Sequence, residues 1–407
     1  MKRPVVAGRF WFLRNNWMAK RQSGNDASGM MRLTTVLGVA VFCGAAAMAA
    51  NAGELLYLSA GGKVSVFEID QASGNLKPTQ EVEYRGAGPM GASPDNRFLY
   101  VNGQLPGDGQ AKRGAPAIAT FRVNGEGKLK RVAWEASAVS AGYLRVDKTG
   151  RFLAGNNYGN GTAMVWVLKG GVFRGDAPQV IELEQRAHSA VFSPNNRFLL
   201  VPATGPNKVF QLRFDQATGR ATPNDPSFAV GPSGEMEARQ PRHLVFHPKR
   251  ALVYTTNERE LPGVGVWAWN SRKGTLKTVQ NVVTQPKGFD GVITTADLHL
   301  TPDARFLYVS NRDITDRKAR TGNDSIVAFE VNARNGRLSK IGHFKCEHVP
   351  RSFALNETGK FAFVAGQGDD RMGIYRINRD TGALKKVGQI ETGSRPSWVH
   401  CMTPRGK

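Results

Sequence analysis

A turn followed by an apolar strand recurs along this chain: SPDNRFLYV at 93–101, DKTGRFLAG at 147–155, SPNNRFLLV at 193–201, HPKRALVYT at 247–255, TPDARFLYV at 301–309 and NETGKFAFV at 356–364. A second unit alternates with it, a strand that closes on a glycine: Gly74, Gly127, Gly171, Gly219, Gly274, Gly336 and Gly382. The six intervals from Gly74 to Gly382 average about 51 residues. A fixed period of this size marks a repeat architecture, and every repeat here is a strand–turn–strand unit. Three or four strands with period-2 alternation make one antiparallel blade, and blades set around an axis make a β-propeller. Seven closing glycines predict an all-β, seven-bladed propeller. The spacing exceeds that of WD40 repeats, and no Trp-Asp signature is present.

The turn-strand unit is clear six times. Its seventh copy is split between SWVHCMTP at 397–404 and ELLYLSAGG at 54–62, so the last blade is expected to close by pairing the N- and C-terminal strands. The propeller domain then spans residues 53–407, and residues 1–52 stand apart. Within them, Leu33 to Ala50 is an uncharged stretch that follows Arg32 and ends in small residues, the order of a secretory signal peptide. The stretch is Ala-rich, at the short limit for spanning a bilayer, and Glu54 follows where a positive stop-transfer cluster would stand. The expectation is a periplasmic protein with no stable membrane insertion after cleavage. The 29 residues before Met30 fit no targeting pattern, so Met30 or Met31 is an alternative start that keeps the stretch; only if the N-terminal segment as a whole does not belong to the protein is the chain expected to be cytoplasmic. Without residues 1–52 the chain keeps 48 Lys and Arg against 32 Asp and Glu. That charge forms no single dense basic stripe, and an exported protein seldom meets nucleic acid, so no nucleic-acid partner is expected.

Register places candidate functional residues at one end of the blades. Counting five residues back from each turn gives Gly88, Gly142, His188, Arg242, Ala296, Arg351 and Trp398. Counting seven forward from the Arg-like position gives Gln104, Tyr158, Thr204, Glu258, Arg312, Gln367 and Gly61. The first strand lines the channel and the second runs back antiparallel, so both sets lie on one face. His188, Arg242, Glu258, Arg312, Arg351 and Trp398 are thereby expected around one mouth. The long connections 103–117 (with Lys112 and Arg113), 231–241, 285–296 and 312–325 (with Arg317, Lys318 and Arg320) belong to that face. A wet channel mouth collects polar residues without chemistry, but a His, a Glu and three Arg converging together argue for a site.

At these residues the chain resembles the seven-bladed propeller lactonases, the family of propeller-type 6-phosphogluconolactonases and carboxy-muconate lactonising enzymes. The matching segments are AHSAVFSPNNRFLLVPA (187–203), QPRHLVFHP (240–248), TNE (256–258), TADLHLTPDARFLYVSNRD (295–313), VPRSFALNETGKF (349–361) and RPSWV (395–399). The resemblance implies catalytic roles for His188, Arg242, Glu258 and Arg312. It also implies a cofactor-free, metal-free reaction on a small anionic or sugar lactone. Ring opening needs an activated water, oxyanion stabilisation and a grip on the anionic tail. His188 is expected as the base, Glu258 as its orienting partner or the base itself, and Arg242 and Arg312 as anion-binding forks. Arg351 and Trp398 are expected to line the substrate.

Two other readings stay open: a muconate-type lactonising enzyme, and a non-enzymatic periplasmic propeller that binds a ligand. Fold alone does not choose among them, although the presence of all four mouth residues argues against the last. No G-x-S-x-G, H-E-x-x-H or C-x-x-C is present. His243, His247 and His299 read as structural residues of strand-turn units, and Cys346 and Cys401 as separate thiols. Propellers of this size are self-sufficient, so a monomer is expected.

Overall fold

In the computed structural model the chain divides into two units, Met1–Met48 and Ala49–Lys407. The structure describes residues 53–105, 114–231, 240–316, 319 and 322–405, all of the second unit. The expected signal segment therefore lies outside the described residues, as do Lys112, Arg113, Arg317, Lys318 and Arg320.

Seven antiparallel sheets make seven blades. Blade 5 shows the pattern: Pro241–Phe246 on the inside, then Leu252–Asn257, Gly263–Asn270 and, outermost, Thr275–Val283. The innermost strands of blades 2, 3, 4, 6 and 7 are Met90–Ala92, Tyr143–Val146, Val191–Phe192, Ile293–Leu300 and Pro350–Leu355. In blade 1 the inner strand comes from the other end of the chain. Trp398–Met402 pairs antiparallel with Leu55–Ala60, Leu55 facing Met402 and Ser59 facing Trp398, which closes the ring as the split repeat predicts. Blade 3 departs from the four-strand plan, because its outer edge is two short pieces, Val172–Phe173 and Gln179–Glu182, both paired to Thr162–Lys169.

The core sits between blades. Seven apolar clusters each join residues of two adjacent blades: Leu56 and Leu58 of blade 1, for example, meet Phe361 and Phe363 of blade 7. Strand alternation is the cause, since successive side chains of one strand enter the interfaces on its two sides. That is why second strands such as Phe198–Ala203 are buried at every residue, whereas outermost strands such as Leu76–Glu83 alternate with solvent.

Both repeated sequence features have a physical role. The turn residue caps the strand that follows: Ser93 and Ser193 Oγ accept the Phe98 and Phe198 amides at 3.0 Å, and Asp147 Oδ1 accepts that of Phe152 at 2.9 Å. The closing glycine is needed twice over. At Gly274, φ is 71°, and a Cβ would collide with the Phe198 ring of the neighbouring blade. A tyrosine reaches the same spot in other interfaces, Tyr254 Oη donating to Gly336 O and Tyr308 Oη to Gly382 O, each at 2.9 Å.

Candidate active site

The inner strands carry the site, and their register defines levels along the channel. At the mouth level stand Gly88, Gly142, His188, Arg242, Ala296 and Arg351. The inner strands of blades 5, 6 and 7 each hold one extra residue at this level, between Pro241 and Leu244, Thr295 and Leu298, and Pro350 and Ser352. Such bulges bend a strand and re-aim its side chains, a recurrent device beside active sites. Glu258 and Arg312 arrive from the adjacent segments, Glu258 just beyond Leu252–Asn257 and Arg312 within Phe306–Asp313.

Four of the residues expected from sequence converge. Arg312 Nη2 donates to Glu258 Oε1 at 2.8 Å and to Thr295 O at 2.9 Å. Arg242 Nε lies 3.7 Å from the same Oε1, and His188 Nε2 lies 3.6 Å from Oε2. Arg242 Nη1 donates to Ala296 O at 2.6 Å. All four side chains are buried, Arg242 to 1% exposure. Burying charges is expensive unless they are paired, and here one carboxylate serves two guanidinium groups. The pairing is incomplete: Arg242 Nε and Arg312 Nε have no hydrogen-bond acceptor. Two buried, unused donors in one cluster are suited to a ligand oxygen.

The electrostatics divide the roles. Burial, reinforced by the Arg242 charge, pushes the His188 pKa well below the usual imidazole value against the pull of Glu258, so the ring is neutral at neutral pH. Burial and the Arg312 and Arg351 charges lower Arg242, and burial with Arg312 lowers Arg351 to about 10. Three crowded guanidinium groups against the Glu258 and Asp297 carboxylates leave positive charge in excess, which an anion would relieve. Tyr158 closes the exposed side, its ring 4.9 Å from that of His188.

Trp398 differs from expectation. It faces Ser59, and Ser397 N donates to Ser59 O as Gly88 N does to Asn102 O, so Ser397 is the mouth-level residue of blade 1. Trp398 sits one residue deeper. The count from sequence began at Thr403, but this blade is assembled from two chain ends and its inner strand ends at Met402. Trp398 instead joins a belt beneath the mouth, where its ring lies 5.5 Å from Tyr143 and 6.1 Å from His243.

That belt holds His243, which reads as structural in the sequence, and Asp297, which the sequence did not single out. His243 Nδ1 and Asp297 Oδ1 are 2.9 Å apart, and Arg242 Nη1 lies 3.1 Å from His243 Nε2. A guanidinium only donates, so Nε2 accepts, Nδ1 carries the proton, and Asp297 orients the ring. Burial and Arg242 push the His243 pKa down to about 4, despite Asp297. The signal available in the sequence was an Asp and a His at the position after the mouth residue, in strands otherwise apolar. Among the described residues no group of three His, Cys, Asp or Glu side chains is placed to hold a metal ion. Cys346 and Cys401 are separate free thiols, as expected.

Fold and site together define a propeller with a charged, buried catalytic-type cluster at one mouth. The chain belongs to the seven-bladed β-propeller lactonase family, whose pattern it matches over residues 50–401. By family the protein is a lactonase. It is 32% identical over 332 residues to the 6-phosphogluconolactonase of Cronobacter sakazakii, covering 81% of this chain and 92% of that one. A 6-phosphogluconolactonase of Klebsiella pneumoniae strain 342 is 29% identical over 345 residues, covering 84% and 93%. The periplasmic gluconolactonase of Pseudomonas aeruginosa superposes with a TM-score of 0.76 at 26% identity, covering 86% of this chain and 99% of that one.

Proposed function

We propose that this protein hydrolyses an aldonolactone to the open-chain acid, with His188, Glu258, Arg242 and Arg312 as its machinery. The observation that carries this reading is a neutral His188 beside an ionised Glu258, with two unsatisfied arginine Nε donors in the same buried cluster. Glu258 faces Nε2 and orients the ring with that proton toward itself, leaving Nδ1 as the base. His188 takes a proton from water as the water oxygen bonds to the lactone carbonyl carbon. Arg242 and Arg312 bind the oxyanion through donors already desolvated and fixed in place. Collapse breaks the ring C–O bond, and the ring oxygen recovers the proton from His188 as a hydroxyl. The carboxylic acid product then ionises in water.

Arg351 extends the positive field toward the anionic end of substrate or product. Trp398 forms part of the floor rather than the rim. The likeness to 6-phosphogluconolactonases supports a sugar lactone. The likeness to a periplasmic gluconolactonase and the signal-like Leu33–Ala50 stretch support export and an unphosphorylated substrate. The test is acid release from glucono-δ-lactone and 6-phosphoglucono-δ-lactone above the spontaneous rate, with His188→Ala as control. A His188-dependent excess on the neutral lactone is the expected result. An excess only on the phosphorylated lactone would reassign the substrate, and none on either would sink the reading.

A further inference from the structure

The channel continues below the aromatic belt into a cavity of about 570 Å³ that opens on the face opposite the mouth. Its volume lies within the range of small-molecule sites. The Tyr143, His243 and Trp398 rings, 5.3 to 6.1 Å apart, lie at its inner end, between it and the mouth. Two residues further along the inner strands, side chains again face the channel. At that level, blades 1, 3 and 6 place His400, Arg145 and His299, paired across to Tyr57, Ala154 and Tyr308. The other blades place small or apolar residues there, among them Gly91, Val191 and Val245.

We propose that this lower cavity is a second binding site, for a small oxyanion, carboxylate or phosphate, held by Arg145, His299 and His400. All three line the same space. Arg145 is exposed to it and makes no ion pair among the described residues. The His400 ring makes no hydrogen bond among them. The carboxylates within reach are already engaged: Asp297 lies between His243 and His299, at 2.9 and 3.4 Å, and Glu357 at the rim accepts from Thr403 Oγ1 at 2.6 Å. Burial, then the Arg145 and His299 charges, push the His400 pKa down to about 4. The Arg145 guanidinium and the His400 ring, with no hydrogen bond or ion pair among the described residues, face one half-enclosed space with His299, an arrangement that an oxyanion completes. The site shares no residue with the mouth cluster and stands whether or not the lactonase reading holds.

The test follows the histidine Cε1–H resonances of the full chain by NMR during titration with inorganic phosphate and, separately, gluconate. His299→Gln and His400→Gln variants assign the signals. Saturable movement of the His400 and His299 resonances is expected, with apparent affinity at least tenfold weaker in Arg145→Gln at unchanged Tm and lactonase rate. Response to phosphate, to gluconate or to both supports the site and identifies its ligand. Resonances that stay still with both anions, or move identically in Arg145→Gln, overturn it. Binding at the mouth would report through His188 instead and is distinguished on that ground.

Discussion

The same mouth-level positions are filled in opposite ways on the two sides of the ring. Blades 4 to 6 supply His188, Arg242, Glu258 and Arg312, all buried and electrostatically tied together. At the inner-strand position where blades 4 and 5 carry His188 and Arg242, blades 2 and 3 carry Gly88 and Gly142, and blade 1 carries Ser397. At Gly88 the backbone is not left-handed, and a Cβ would meet nothing nearer than 3.7 Å, so neither conformation nor packing requires glycine. In contrast, Gly274 in a blade interface can be nothing else. A glycine that the fold does not need, opposite a charged cluster, reads as room kept for substrate.

The comparison can be broken from either side. The largest effect is expected at His188, where Ala should lower kcat by about 10²–10⁴-fold if this ring is the base. A loss below threefold would move the chemistry elsewhere. Next is Glu258→Gln, which leaves Arg242, Arg312 and Arg351 facing one another with only the more distant Asp297 as counter-charge. Removing one partner of a buried pair costs about 3–5 kcal/mol, measurable by urea unfolding. An unchanged midpoint would mean that water already compensates those charges. Gly88→Leu should fold with wild-type stability yet raise KM about tenfold or more by filling the seat; unaltered kinetics would show that substrate stays on the charged side.

The smallest expected change is with pH. A base works unprotonated, and the His188 pKa is depressed, so it gains its proton only well below pH 6.5. kcat/KM should therefore vary less than about twofold from pH 8 to 6.5 and fall only in more acidic buffer. A midpoint near 6.5 would show that His188 titrates as if exposed.

Much of the molecule was legible in the sequence because its signals are local. A hydroxyl or carboxylate caps a strand within five residues, a closing glycine takes a positive φ, and alternation reports two buried faces. Repetition then multiplied each weak signal seven times. The four mouth residues were found by counting because regular strands convert sequence distance into height along the axis. Counting failed where the chain was not continuous: blade 1 joins residues far apart in sequence, and Trp398 came out one level too high. The belt escaped for another reason. His243 and Asp297 are strand residues of unremarked type until two neighbouring blades set them 2.9 Å apart.

The sequence by itself determined the blade, the number of blades and, where a blade is continuous in the chain, the height of its side chains, since these depend on contacts within one repeat or the next. Only the tertiary structure decided which charges share a carboxylate, which imidazoles are neutral, and that the channel is occupied by an aromatic belt with a cavity below it. Those properties arise from side chains on separate blades converging at the axis, where distance and burial rather than sequence spacing set the energy.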